Sequence, residues 1–296
     1  MATHNLDNTG KDFDEYVHLE SYAAILLLIS ALIALVINNT PWHSSYVHLL
    51  KSDVIVNIGS IHFNAHSIWY WINDGLMALF FLLVGLEMKR EMCVGELKAI
   101  SQVMLPLVGA IGGMVIPAAV FFAVNASHPA YLDGWAIPVA TDIAFSLGIL
   151  ALLGSRLPAS LKVFLTALAI FDDMGAVLII AIFHTQDIKQ IFLLLSLLVY
   201  LVMWIVNRSG VDKIWVFLLL GVVLWVCVFQ SGIHPTLAGI ATAFVVPLRS
   251  NKKTDYSPLK TLESNLHLWV AFGVLPIFAF ANAGVSFAGM TWQHLL

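Results

Sequence analysis

The chain has 296 residues, of which 60% are hydrophobic and only 11% charged, and its mean hydropathy is +0.89. Soluble domains carry roughly 25% charged residues, so an ordinary soluble globule is excluded, and so is a disordered chain, which needs low hydrophobicity and high net charge. A net charge of −4 offers no broad basic surface, so nucleic acid is not expected as a partner.

What remains is an all-α polytopic membrane protein whose first partner is the lipid bilayer. In chain order, residues 1–18 form a polar tail with Asp7, Lys11, Asp12, Asp14 and Glu15. This tail has no basic n-region, so no cleaved signal peptide is expected, and 19–296 reads as a single membrane domain. Apolar runs at 21–38, 69–88, 103–124, 134–153, 158–183, 190–206, 214–229, 233–247 and 266–288 predict nine spans, since a span needs about 20 apolar residues. The runs at 214–229 and 233–247 are short, and Gly232 and Pro235 punctuate the join. The segment 54–66 alternates like a strand, so the stretch 43–68 with His43, His48, His62 and His66 is predicted to be an exposed loop or hairpin. The His62–His66 spacing would suit a metal only on a helix. Cys93 is expected in a loop and Cys227 within a span, a poor disulfide geometry, so both are read as free.

Basic residues set the expected orientation. With the N-terminus inside, every Lys and Arg except Lys51 and Lys189 falls on an inner segment, and nine spans leave the C-terminus outside.

No Lys or Arg falls near the middle of a run, but Asp74, Asp142, Asp172 and Asp173 lie within the runs. Charges at such depth are costly and normally face a cavity or a partner. Around Asp142 the sequence reads Pro138-Val-Ala-Thr141-Asp142-Ile-Ala-Phe-Ser146-Leu-Gly148. The proline removes a backbone donor, and the hydroxyls and carboxylate suit an interrupted helix that binds a small cation or a proton. A kinked helix with a hydrogen-bonded Asp142 is the plainer alternative. Asp172 and Asp173 lie in Ile170-Phe-Asp-Asp-Met-Gly175. Asp173 is 15 residues past Pro158, roughly 22 Å along a helix, near the midplane. Adjacent helical residues diverge by about 100°, so only one of the two is expected to face a shared site. Asp142 and Asp173 are about equally far from the turn at 154–159 on consecutive spans, so they are expected to meet. Two carboxylates in one apolar site cannot both ionise cheaply, so sodium or lithium would compete there with protons.

Asp74 sits near the outer end of its run, and Glu87 and Glu91 are one turn apart at the inner mouth, near Lys89, Arg90 and Lys98. They either sense pH or form a solvated ion cluster. Lys260, Glu263 and His267 share a helix face, with the histidine as the group that titrates near neutrality. His234 either tunes a pH response or caps a helix. Gly109 and Gly113 form a small-residue face for helix contact.

The segments Trp71–Glu91, Pro138–Gly148, Phe171–Gly175, Ser231–Gly239 and Leu275–Gly284 together resemble the NhaA family of bacterial sodium/proton antiporters. That family is itself a standard example of inverted repeats with half-helices at the binding site. The resemblance implies an inner-membrane, pH-regulated, electrogenic antiporter, not an enzyme, without an organic cofactor. Asp142 and Asp173, with Thr141, would carry sodium or lithium and protons, and Asp172 would be the second acid. Glu87, Glu91, Lys260, Glu263 and His267 would form the pH-responsive funnel, with Asp74 and His234 secondary. A homodimer through 43–68 is also implied. The family usually has twelve spans, so the resemblance implies a C-terminally incomplete chain in which Asp172 lacks a membrane lysine. An inactive fragment is therefore one alternative. An intramembrane aspartyl protease is another, disfavoured because neither acid sits in a Gly-x-Gly-Asp motif.

Overall fold

A computed structural model of the chain describes residues 22–54, 57–58, 61–62, 66–95, 100–139, 146, 158–183, 188–250 and 256–287. Helix α1 (Tyr22–Asn38) is followed by α2 (His43–Lys51), bent from it by 114°. Strands β1 (Asp53–Val54), β2 (Asn57–Ile58), β3 (Ile61–His62) and β4 (His66–Ser67) form two antiparallel pairs, β1 with β4 and β2 with β3. Helix α3 (Ile68–Cys93) and α4 (Ile100–Asn125) come next, then a 3-10 segment at Pro129–Val139 and helix α5 (Ala159–Phe183). Helices α6 (Gln190–Arg208), α7 (Ile214–Ser231) and α8 (Thr236–Val245) follow, and α9 (Pro258–Asn282) is the last among the described residues.

Among the described residues, five helices are long and apolar enough to cross a membrane, namely α3, α4 from Val103, α6, α7 and α9, or six if the bent pair α1–α2 counts as one span. Large apolar side chains such as Val115, Leu194, Leu197 and Val222 remain exposed on them. Such a surface is intolerable in water and natural in lipid. The chain is an all-α polytopic membrane protein.

Local sequence fixes the ends. Ser67 and Ser257 accept hydrogen bonds from Tyr70 N and Lys260 N, satisfying donors that α3 and α9 leave open. Pro258 starts α9, where its missing N–H costs nothing. Gly232 ends α7 in a left-handed conformation, φ 88°, which glycine adopts without strain.

The main core joins α3, α6, α7, α8 and α9 through Leu82, Leu86, Met203, Phe217, Ala243 and Leu259. Within it α3 and α8 pack backbone to backbone. A Cβ on Gly85 would lie 2.7 Å from Ala243 Cβ, and one on Gly239 would strike the carbonyl of Ala78. Lys89 Nζ closes this pair at one end by donating to Phe244 O (2.6 Å) and Val246 O (2.5 Å), carbonyls that the end of α8 leaves without a helical partner. Asn207 donates to the carbonyl of Val245 between them.

A second cluster joins α1, α2, α3 and α9 through Ala34, Tyr46, Leu50, Ile72 and Ala281. Asn38 donates to Gly284 O (2.7 Å) and Asn39 to Val285 O (2.7 Å), and Phe287 N returns a bond to Asn39 Oδ1 (2.7 Å). Tyr46 donates to Phe280 O (2.7 Å). The turn after α1 therefore holds the segment after α9.

Three expectations change. Residues 43–51 form a helix instead of a loop, because Tyr46 and Leu50 one turn apart bury against α1 and α9. Cys93 ends α3 and is exposed, not in a loop. The last span begins at Pro258 rather than 266, since its first two turns bury Leu259 and Leu262 despite a polar face. Both cysteines are free. Most of the expected span 134–153 lies outside the described residues.

Candidate functional site

Helix α5 runs without a break through its two acids. Asp173 is roughly 21 Å from the helix start, and both carboxylates are buried, 3% exposed for Asp172 and 6% for Asp173. The regular helix sends them to different neighbours. Asp172 follows Leu168 on the face toward α4, where Leu168 meets Gly109 and Asp172 Oδ1 meets Gly113. Asp173 lies one turn before Val177, which packs with Phe81 of α3 and Ile240 of α8. Asp173 has a polar or electrostatic partner, whereas Asp172 Oδ1 meets no hydrogen-bond donor among the described residues. Asp142 and Thr141, expected beside Asp173, lie outside the described residues.

A third buried acid, Asp74 (7% exposed), sits in α3 within a π-helical turn, Trp71–Leu76. Such turns loosen the regular carbonyl pairing and recur at functional positions. Trp225 Nε1 of α7 donates to Asp74 O at 3.1 Å. His234 Nε2 stands 3.5 Å from Asp74 Oδ1, and its Nδ1 is 2.8 Å from Thr236 Oγ1 at the start of α8. Asp74 and His234 are thus brought together. Tyr70, one turn back, stacks on His66 (centroids 4.2 Å apart). No spacing or motif pointed to Trp225 or Tyr70, and the π turn is marked only by Asn73, Asp74 and Gly75 within an apolar run.

At the other end of α3 three acids and two bases converge. Arg90 NH1 lies 2.7 Å from Glu91 Oε1, and Arg90 Nε donates to Glu263 Oε1 of α9 at 2.8 Å. His267 Nδ1 is 3.9 Å from Glu87 Oε1. Glu87, Glu91, Glu263 and His267 therefore form one cluster centred on Arg90. Lys260 is exposed and makes no ion pair with it among the described residues. Lys89 belongs to the α8 end instead, and Lys98 lies outside the described residues. His62 closes strand β3 and His66 opens β4, where His66 stacks on Tyr70.

The matches to known proteins bear on this arrangement. The family model described as Na+/H+ antiporter 1 covers residues 14–296. The chain belongs to this antiporter family. It is 52% identical over 279 residues to a protein named Na(+)/H(+) antiporter NhaA 1 from Pseudomonas putida, covering 94% of this chain and 70% of that one. It is 49% identical to an NhaA 1 from Syntrophotalea carbinolica, over 97% of this chain and 72% of that relative. To an NhaA from Vibrio parahaemolyticus it is 47% identical, over 95% and 71%. Membership of the Na+/H+ antiporter 1 family makes the chain a multi-pass membrane transporter of the bacterial inner-membrane kind.

Proposed function

We propose that this chain exchanges sodium or lithium for protons, exporting the cation from the cytoplasm by alternating access at its mid-membrane aspartates. The observation that carries the proposal is the pair of buried carboxylates Asp172 and Asp173 in the middle of an apolar helix. An acid at that depth is stable either protonated or with a cation beside it. Occupancy by one excludes the other, and that exclusion is the coupling of an antiporter. Asp173, with Asp142 and Thr141, is assigned to carry the exchanged ion, and Asp172 to be the second acid. Exchange of more protons than sodium ions per cycle makes the process electrogenic. No organic cofactor is needed by such a scheme.

The same proposal makes the Arg90 cluster the pH-responsive inner mouth. Protonated His267 pairs with Glu87 in a closed cluster. As pH rises the imidazole loses its charge, Glu87 is released, and access opens. The excess of Lys and Arg at this end supports an inner location, with the N-terminus inside. Asp74 and His234 lie at the outer end. The segment 43–68, with its short paired strands, is assigned to a homodimer contact.

The test is collapse of a preformed proton gradient in everted membrane vesicles on adding sodium or lithium. The wild-type chain should collapse it, and Asp173→Asn should not. Sodium-dependent proton release that persists in Asp173→Asn would sink the assignment.

A further inference from the structure

Glycine is a poor helix former, about 1 kcal/mol worse than alanine, so each glycine inside a span calls for a reason. On the α4 face toward α5 the reasons differ. A Cβ on Gly109 would stand 3.0 Å from Leu168 Cδ1, tighter than side chains normally pack, so Gly109 is explained by close helix contact. Gly113 has no such explanation. Its backbone is not left-handed. An added Cβ would meet a single atom among the described residues, Asp172 Oδ1, at an ordinary 3.9 Å. A methyl group would fit.

That atom is also the oxygen without a donor. Asp172 is 97% buried, its Oδ1 has no hydrogen-bond partner among the described residues, and it points at the bare backbone of Gly113. Buried acceptors are rarely left so, because a charged acceptor without a partner loses its hydration without return. Two independent facts therefore meet at one place, a side chain omitted without steric need and a carboxylate oxygen left unsatisfied.

We propose that Gly113 is a positioning residue of the transport site, whose missing side chain keeps the α4 side of Asp172 open to the monovalent cation or proton of the exchange cycle. The inference rests on the proposed antiport function and extends it to a residue of α4. A methyl at 113 would cover Oδ1 with an apolar surface and weaken its hold on a cation. A serine would place a hydroxyl there that either donates to the carboxylate or supplies an oxygen ligand to the ion.

The full chain, purified in detergent, is melted over a sodium series at several pH values, with Gly113→Ala, Gly113→Ser and Asp172→Asn alone and combined with Gly113→Ala. The expected result is that Gly113→Ala melts at or slightly above the wild-type temperature without sodium, as a better helix former that fits should, but needs about tenfold more sodium for half of the stabilisation. Gly113→Ser should recover most of that loss. The alanine substitution should add nothing in the Asp172→Asn background, as expected of groups acting as one unit. A Gly113→Ala variant with the wild-type sodium and pH dependence overturns the proposal. So does one that melts several degrees lower without sodium, since that marks a packing role. Indifference of the wild-type chain to sodium at every pH overturns the transport function and this proposal with it.

Discussion

Arg90 holds carboxylates from two helices, Glu91 on its own and Glu263 on α9, while His267 reaches back to Glu87. Removing one member leaves its partner half-buried and uncompensated. His267→Ala should remove the charge that closes the cluster at low pH and move the onset of exchange to lower pH. Glu263→Gln should shift the onset too while leaving maximal flux nearly intact. Flux against pH in everted vesicles checks both, and an unmoved curve for the pair would discard the sensing role. The sequence carried part of this cluster in plain view. Spacings of three and four put Lys260, Glu263 and His267 on one stripe. Spacing gives direction but not depth, and a flexible lysine at the first turn keeps its ammonium in solvent. Which basic residue would serve as the centre was a matter of geometry, because Lys89 and Arg90 are neighbours in sequence yet leave α3 toward different helices.

The short spans at 214–229 and 233–247 were legible from Gly232 and Pro235, and they appear as α7 and the ten-residue α8. The interruptions inside α3 and α9 were not. Both are π-helical turns, Trp71–Leu76 and Val270–Val274, and a single extra residue per turn leaves hydrophobic periodicity almost unchanged over so short a stretch. What α8 lacks in length it gains in contact, since Gly85 and Gly239 let it lie against α3 at backbone distance. Gly239→Ala should force the two helices apart and destabilise the protein by about 1–3 kcal/mol, read as a lower melting temperature. Lys89→Met should cost about 1 kcal/mol by uncapping the end of α8. A Gly239→Ala protein that melts at the wild-type temperature would show that the α3–α8 contact is looser than described.

For the whole molecule, composition alone established a polytopic helical membrane protein, because no arrangement of so few charges could solvate the rest. Orientation is open to a direct check through Cys93, exposed at the basic end of α3. In a Cys227→Ser background a membrane-impermeant maleimide should label Cys93 in everted vesicles and not in right-side-out ones. Labelling from the outside would invert the topology. The hold of Asn38 and Asn39 on residues 284–287 adds a matter of timing. These partners are separated by 246 to 248 residues of chain. At a synthesis rate of about 5–20 residues per second, the turn after the first helix must wait roughly 12–50 s before its acceptors exist. During that interval the Asn38 amide has no Gly284 acceptor and the Asn39 amide has only Leu35 O of its own helix. The turn after α1 is therefore tied down only once α9 and the residues after it have been made, and a pause in translation before α9 emerges would prolong its exposure.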